Sequence, residues 1–143
     1  MLRKTIIILL FLIASVQTGK AQELQEQVEA INSFIEDHSE SNRNYYAKIN
    51  ATQGNIYFYN GLQHVIELTF DVTKIDAENI KVGKKGLTFF PNEKGDFVTK
   101  KFATSKSTIG TAWLNVIKMS KNDKAELKSM MKKFILDYQK AMN

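Results

Sequence analysis

Cysteine is absent from this chain of 143 residues. That excludes disulfides, thiolate metal ligands, cysteine nucleophiles and a lipid-modified cysteine after a leader, so stability has to come from packing. Histidine is nearly absent too. His38 and His64 stand alone, and neither neighbourhood has a spacing such as H-x-x-x-H, whereas a metal site draws on three or four converging ligands. No G-x-S-x-G surrounds the hydroxyl cluster Thr104, Ser105, Ser107 and Thr108, and no Gly-rich phosphate loop follows a strand pattern. Glu67 and Asp71 share a strand face but lie about 13 Å apart at strand spacing. Glycosidase carboxylate pairs sit roughly 5–9.5 Å apart. These absences favour a non-enzyme, with no cofactor and no metal expected.

Long apolar runs are also scarce. The one that exists, Thr5–Val16, is shorter than the roughly 20 residues a membrane-spanning helix needs. Arg3 and Lys4 precede it, and Gly19 and Ala21 stand at −3 and −1 of a cut before Gln22. This is the three-part pattern of a secretory signal peptide. Residues 1–21 are therefore expected to be a cleaved leader. Residues 22–143 are expected to form a single domain, exported to the periplasm or secreted, with no membrane span after cleavage. A domain of that size buries about two-thirds of its unfolded surface and needs no staples.

The formal charge of +5 is partly carried by the leader, which holds Arg3, Lys4 and Lys20. The remaining 17 basic and 15 acidic residues leave +2, too little to argue for nucleic acid. Distribution says more than the sum. Residues 22–40 carry six acidic side chains and no Lys or Arg. Residues 118–140 carry seven lysines against Asp123, Glu126 and Asp137.

Leu24, Val28, Ile31 and Ile35 recur at helical spacing, with Phe34 widening the stripe. From residue 44 to about 118 the period becomes two. Asn44–Ile49 and Asn55–Tyr59 read as strands around a Gln53-Gly54 turn, and Asn60-Gly61 reads as a hairpin turn. Ile66, Leu68, Phe70 and Val72 alternate with polar residues. Lys74–Asn79 reads as a helical turn, and Lys84-Lys85-Gly86 as a hairpin tip between strands. Phe97–Phe102 and Ile109–Met119 read as the last strands, joined by a Ser/Thr/Lys loop. Residues 112–117 are apolar on both faces, which suits a central strand or one beneath a helix. The final helix opens on Ser120, with Asp123 three residues on, or on Asn122 as the alternative cap, and carries the stripe Leu127, Met131, Phe134, Tyr138 and Met142. The expectation is an α+β domain: N-terminal helix, antiparallel sheet or half-barrel of six to seven short strands, C-terminal amphipathic helix.

The stretch from Ile66 to Tyr138 includes "DVTKIDAENIKV", the basic hairpin "KVGKKGLTFF" and the closing helix "KNDKAELKSMMKKFILDY". In that order of elements it resembles the pleckstrin-homology-like fold. The resemblance implies a binding module without catalytic residues, and a basic loop able to hold a phosphorylated headgroup. A cystatin-like or lipid-cavity α+β sheet is the alternative.

Two groups of residues are candidates for binding. Lys84 and Lys85, with Lys81 nearby, make a basic hairpin tip, and Lys100, Lys101 and Lys106 surround another loop. The bland reading is solubility and edge protection. Tyr57 and Tyr59 alternate with Phe58 beside Tyr45 and Tyr46, either a platform for sugars or a protein partner or the rim of a core. The expected partners are an envelope glycan, a lipid headgroup or another protein. The alternative is a carrier with an apolar ligand among Trp113, Met130, Met131, Phe134 and Ile135. If the acidic and basic helices lie side by side, their charged edges face each other, with Glu29 and Lys132 as the test pair.

Overall fold

A computed structural model describes the backbone of residues 2–39 and 47–143, and side chains from residue 19 onward within those ranges. Helix α1 spans Leu2–His38 and runs unbroken through the Ala21–Gln22 bond. Strands β1 (Lys48–Thr52), β2 (Asn55–Asn60), β3 (Ile66–Asp71), β4 (Ile75–Val82), β5 (Gly86–Pro91), β6 (Val98–Phe102), β7 (Ser105–Ile109) and β8 (Ala112–Asn115) follow, then helix α2 (Lys121–Met142). The class is α+β. The strands form two antiparallel sheets, a five-stranded one in the order β1-β2-β3-β6-β7 and a three-stranded one in the order β4-β5-β8. They do not close into a barrel. Among the described residues, no helix is long and apolar enough to cross a membrane.

The inner faces meet through aromatic rings. Phe58 of β2 lies 5.0 Å from Phe70 within its own sheet and 4.9 Å from Phe89 of the other. Val28, Ile31 and Ile35 of α1 are buried, as are Leu127, Met131, Phe134, Ile135 and Tyr138 of α2. The apolar stripes of both helices thus do what their spacing requires, except at Met142, which is exposed at the end of α2. Ser120 caps α2, its Oγ accepting from the Asp123 amide at 3.1 Å.

Polar side chains fasten the layers where hydrophobic contact cannot choose a register. Asn32 of α1 donates to the Ile49 carbonyl at 2.9 Å and accepts from the Ile49 amide at 2.8 Å. One amide thereby completes the open edge of β1 as a neighbouring strand would. Asn60, fully buried, does the same between the sheets: it donates to the Trp113 carbonyl and accepts from the Asn115 amide. Tyr138 accepts at 2.7 Å from the amide of Gly54. Gln53 and Gly54 both have positive φ, 52° and 84°, the pattern of a type I′ hairpin turn.

Several local expectations change. There are eight strands, not six or seven, because the Ser/Thr/Lys segment is β7. It is an exposed edge strand, so no buried face imposes alternation on its sequence. Residues 74–79 are not a helical turn. The turn lies earlier, at Val72–Lys74, capped by Asp71, and Ile75–Val82 is β4 with a register shift between Ile75 and Ile80. Asn60-Gly61 is not a tight hairpin turn: Asn60 closes β2, and Gly61 leads into a 3₁₀ turn over Leu62–His64. The strand expected over 109–119 is shorter, and β8 is an edge of its sheet rather than central. Its second face is apolar because Trp113 lines a groove. The first strand begins at Lys48, and residues 40–46, with Tyr45 and Tyr46, lie outside the described residues.

Helices α1 and α2 do pack together, but not through the expected pair. Lys132 bonds Glu78 of β4 at 2.7 Å, and Glu29 faces a crevice with Lys48 and Tyr59. The seam is held by Asp137, which accepts from Gln27 of α1 at 3.0 Å and from Lys133 at 2.7 Å. The Lys133 hydrogen bond chiefly, helped by Gln27, holds the Asp137 carboxyl below its ordinary value although burial pushes the other way. A depressed folded pKa stabilises above the unfolded carboxylate range, and that contribution is lost as pH falls through the folded value. Asp137→Asn is therefore expected to lower the urea midpoint at neutral pH. The gap to the parent should shrink on acidification below the ordinary carboxylate range. A gap constant with pH would contradict the ion pair.

Candidate binding groove

The β4–β5 hairpin tip carries Lys84 and Lys85, both exposed. Its geometry depends on Gly86, at φ +148°, where any Cβ would collide with the Leu114 carbonyl. Glycine lets β5 start in direct contact with β8. The tip is fastened from two more directions. The Val116 amide donates to the Lys85 carbonyl at 2.8 Å. The ammonium of Lys124, a residue only 7% exposed in the first turn of α2, donates to the Lys84 carbonyl at 2.7 Å.

Beside this tip runs an open groove of about 610 Å³, lined by Lys84, Lys85, Leu87, Thr88, Ile66 and Trp113 among others. None of its lining residues is acidic. A third lysine reaches the groove's indole through sheet register. Leu68 pairs with Lys100 across β3 and β6, which puts Lys100 on the inner face, and its ammonium lies over the Trp113 ring at 5.6 Å. A cation on an indole face at that distance is a favourable contact. The groove is thus lined by two lysines and an indole, with the Lys100 ammonium over that indole, an arrangement that attracts anions beside an apolar wall.

Tyr57 and Tyr59 do not line this groove. They are half-buried on the outer face of the five-stranded sheet, rings nearly parallel at 6.5 Å, with Phe58 pointing inward. Tyr59 is in register with Glu67 and Lys48. Burial first, then the charge of Glu67, pushes its phenol pKa above the ordinary value, so the hydroxyl stays protonated and able to donate. Lys101 and Lys106 face each other in the same row, while Lys81 leans over Phe90 at 5.0 Å. Structure therefore splits the lysines expected as one loop cluster between two faces.

The remaining candidates have local roles. His38 Nδ1 lies 2.9 Å from the Phe34 carbonyl. Burial, then Lys48, lowers the pKa of His64. Among the described residues no three His, Cys, Asp or Glu side chains gather as a metal site. Ser105 donates to the Phe102 carbonyl, and Thr108 reaches Asp96 at 3.4 Å. Met131, Phe134 and Ile135 are fully buried in the core, and Met130 and Trp113 are packed against it, Trp113 also lining the groove.

Lys100 and Trp113 were not joined by sequence because they belong to different sheets, and local spacing carries no trace of that contact. Lys124 did leave a trace: it stands three residues before Leu127, on the buried stripe of α2. No protein-family model, curated protein or solved structure matches the chain. The functional reading rests on the groove.

Proposed function

We propose that the domain is an exported, non-catalytic binding module whose groove takes an anionic envelope component, either an acidic glycan or a phosphate-bearing headgroup. The observation that carries the reading is a groove lined by Lys84, Lys85 and Trp113 with no carboxylate in the lining, the Lys100 ammonium lying over the same indole. Lysine ammoniums neutralise the anion, and the indole offers an apolar face to a sugar ring or glycerol backbone. Fixed backbone supports this: Gly86, Lys124 and the Val116 amide hold the tip, so little ordering is needed on binding. Export is part of the same proposal and follows from the leader pattern of residues 1–21.

A glycan and phospholipid array tests it. The parent domain is expected to retain anionic members and release them as salt rises, because the attraction is screened. Lys84→Ala/Lys85→Ala should lose at least tenfold in affinity, about 1.4 kcal/mol, while unfolding normally, since both side chains are exposed. Tyr57→Ala/Tyr59→Ala should bind as the parent does. The reverse pattern would move the site to the outer sheet face and its stacked tyrosines.

A further inference from the structure

Cleavage before Gln22 would do more than free the domain. Residues 19–23 are all exposed, Leu24 is the first side chain of α1 described as packed against the core, and Val28 the first buried in it. The cut therefore removes no described core contact. It leaves a helix that begins Gln22-Glu23-Leu24-Gln25-Glu26. Lys20, which lines a crevice with Glu23, Asp137 and Lys140, leaves with the leader.

A free α-ammonium on Gln22 would then sit at the positive end of the α1 dipole, where a cation is disfavoured and the carboxylates of Glu23 and Glu26 are welcome. The Gln22 side-chain amide has one weak tether, a 3.4 Å hydrogen bond to Glu26 in solvent. We infer that the mature amino terminus is a modification site: Gln22, once exposed by cleavage, closes to pyroglutamate. This rests on the leader reading. The α-amino nitrogen attacks Cδ of its own side chain and a lactam N–Cδ bond forms. The Cδ–Nε2 bond breaks, and the side-chain nitrogen departs as ammonia with the proton given up by the amine. No oxidation or reduction occurs and no co-reactant is consumed. The product is a neutral helix end that aminopeptidases cannot start from.

The test is intact mass and N-terminal sequencing of protein exported by cells expressing the full chain, quenched in acid on recovery. The expected mass is that of residues 22–143 less one ammonia. Edman degradation should be blocked until pyroglutamyl aminopeptidase removes the lactam, after which the sequence starts at Glu23. Gln22→Ala should give a readable terminus and faster aminopeptidase trimming. A full-mass chain reading directly from Gln22 overturns the modification and leaves the leader standing. A chain that begins at Met1 overturns both, and one that begins at any other residue but Gln22 overturns the modification and moves the cut.

Discussion

Phe58→Ala is expected to destabilise the domain by about 3–5 kcal/mol, the usual cost of emptying a large buried aromatic site. Phe58 is fully buried and is the ring through which β2 of the larger sheet meets β5 of the smaller one. Its partners are constrained on all sides. Phe70 lies edge-on within the same sheet, and the neighbouring register positions Ile49 and Leu68 are themselves fully buried. A packed interior of this kind relaxes poorly into the space left behind. Urea unfolding followed by far-UV circular dichroism measures the loss as a lower midpoint with an unchanged slope. A change below about 1 kcal/mol, in the range of surface substitutions, would mean that the two sheets are not packed through this ring.

Asn60→Ala is the second large effect, and it arises from hydrogen bonding rather than volume. The carboxamide supplies one donor and one acceptor to β8, to the Trp113 carbonyl at 2.9 Å and from the Asn115 amide at 2.8 Å. Alanine leaves both backbone groups without those partners at a junction whose central residue, Asn60, is fully buried. Stranding such groups costs about 1–3 kcal/mol each, so a total loss of roughly 2–6 kcal/mol is expected. Because β8 carries Trp113, the same change should alter the fluorescence of the folded protein, whereas Phe58→Ala acts chiefly on stability. Asn32→Ala provides the comparison. It removes the same two-bond arrangement around an asparagine that is itself only half-buried, where water can replace the amide, and the expected cost is about 1 kcal/mol. Equal losses for the two asparagines would contradict the difference in burial.

Much of the fold is legible in the chain where one side of an element is buried. The stripe Leu24, Val28, Ile31, Ile35 and the stripe Leu127, Met131, Phe134, Tyr138 face the core as their periods require, and β3 alternates as Ile66–Asp71 should. Legibility fails where burial stops imposing a period. Strand β7 has four exposed residues out of five, so its sequence resembles a loop. The register shift in β4 breaks a two-residue period into spacing that mimics a helical turn. Asn60 was read by its commonest local role, a turn dipeptide, because a two-bond amide link to a strand more than fifty positions later leaves no local mark. For the site, the exposed lysines at the tip were readable from composition alone. Their sharing of a groove with Trp113, and the contact of Trp113 with Lys100, are not, since sheet topology makes both. Tyr57 and Tyr59 were correctly paired on one face, opposite Phe58, but on the far side of the sheet from Lys100.

Trp113 is the sole tryptophan of the chain, so its fluorescence reports on the groove and nowhere else. Titrating the domain with glycerol phosphate and with an acidic oligosaccharide, at low and at physiological salt, tests the binding proposal directly. At least one of these anions is expected to change the Trp113 emission saturably. The affinity should fall as salt rises, and Lys84→Ala/Lys85→Ala should abolish the response. An emission spectrum that stays constant while either anion binds the protein would put the site elsewhere and contradict the groove.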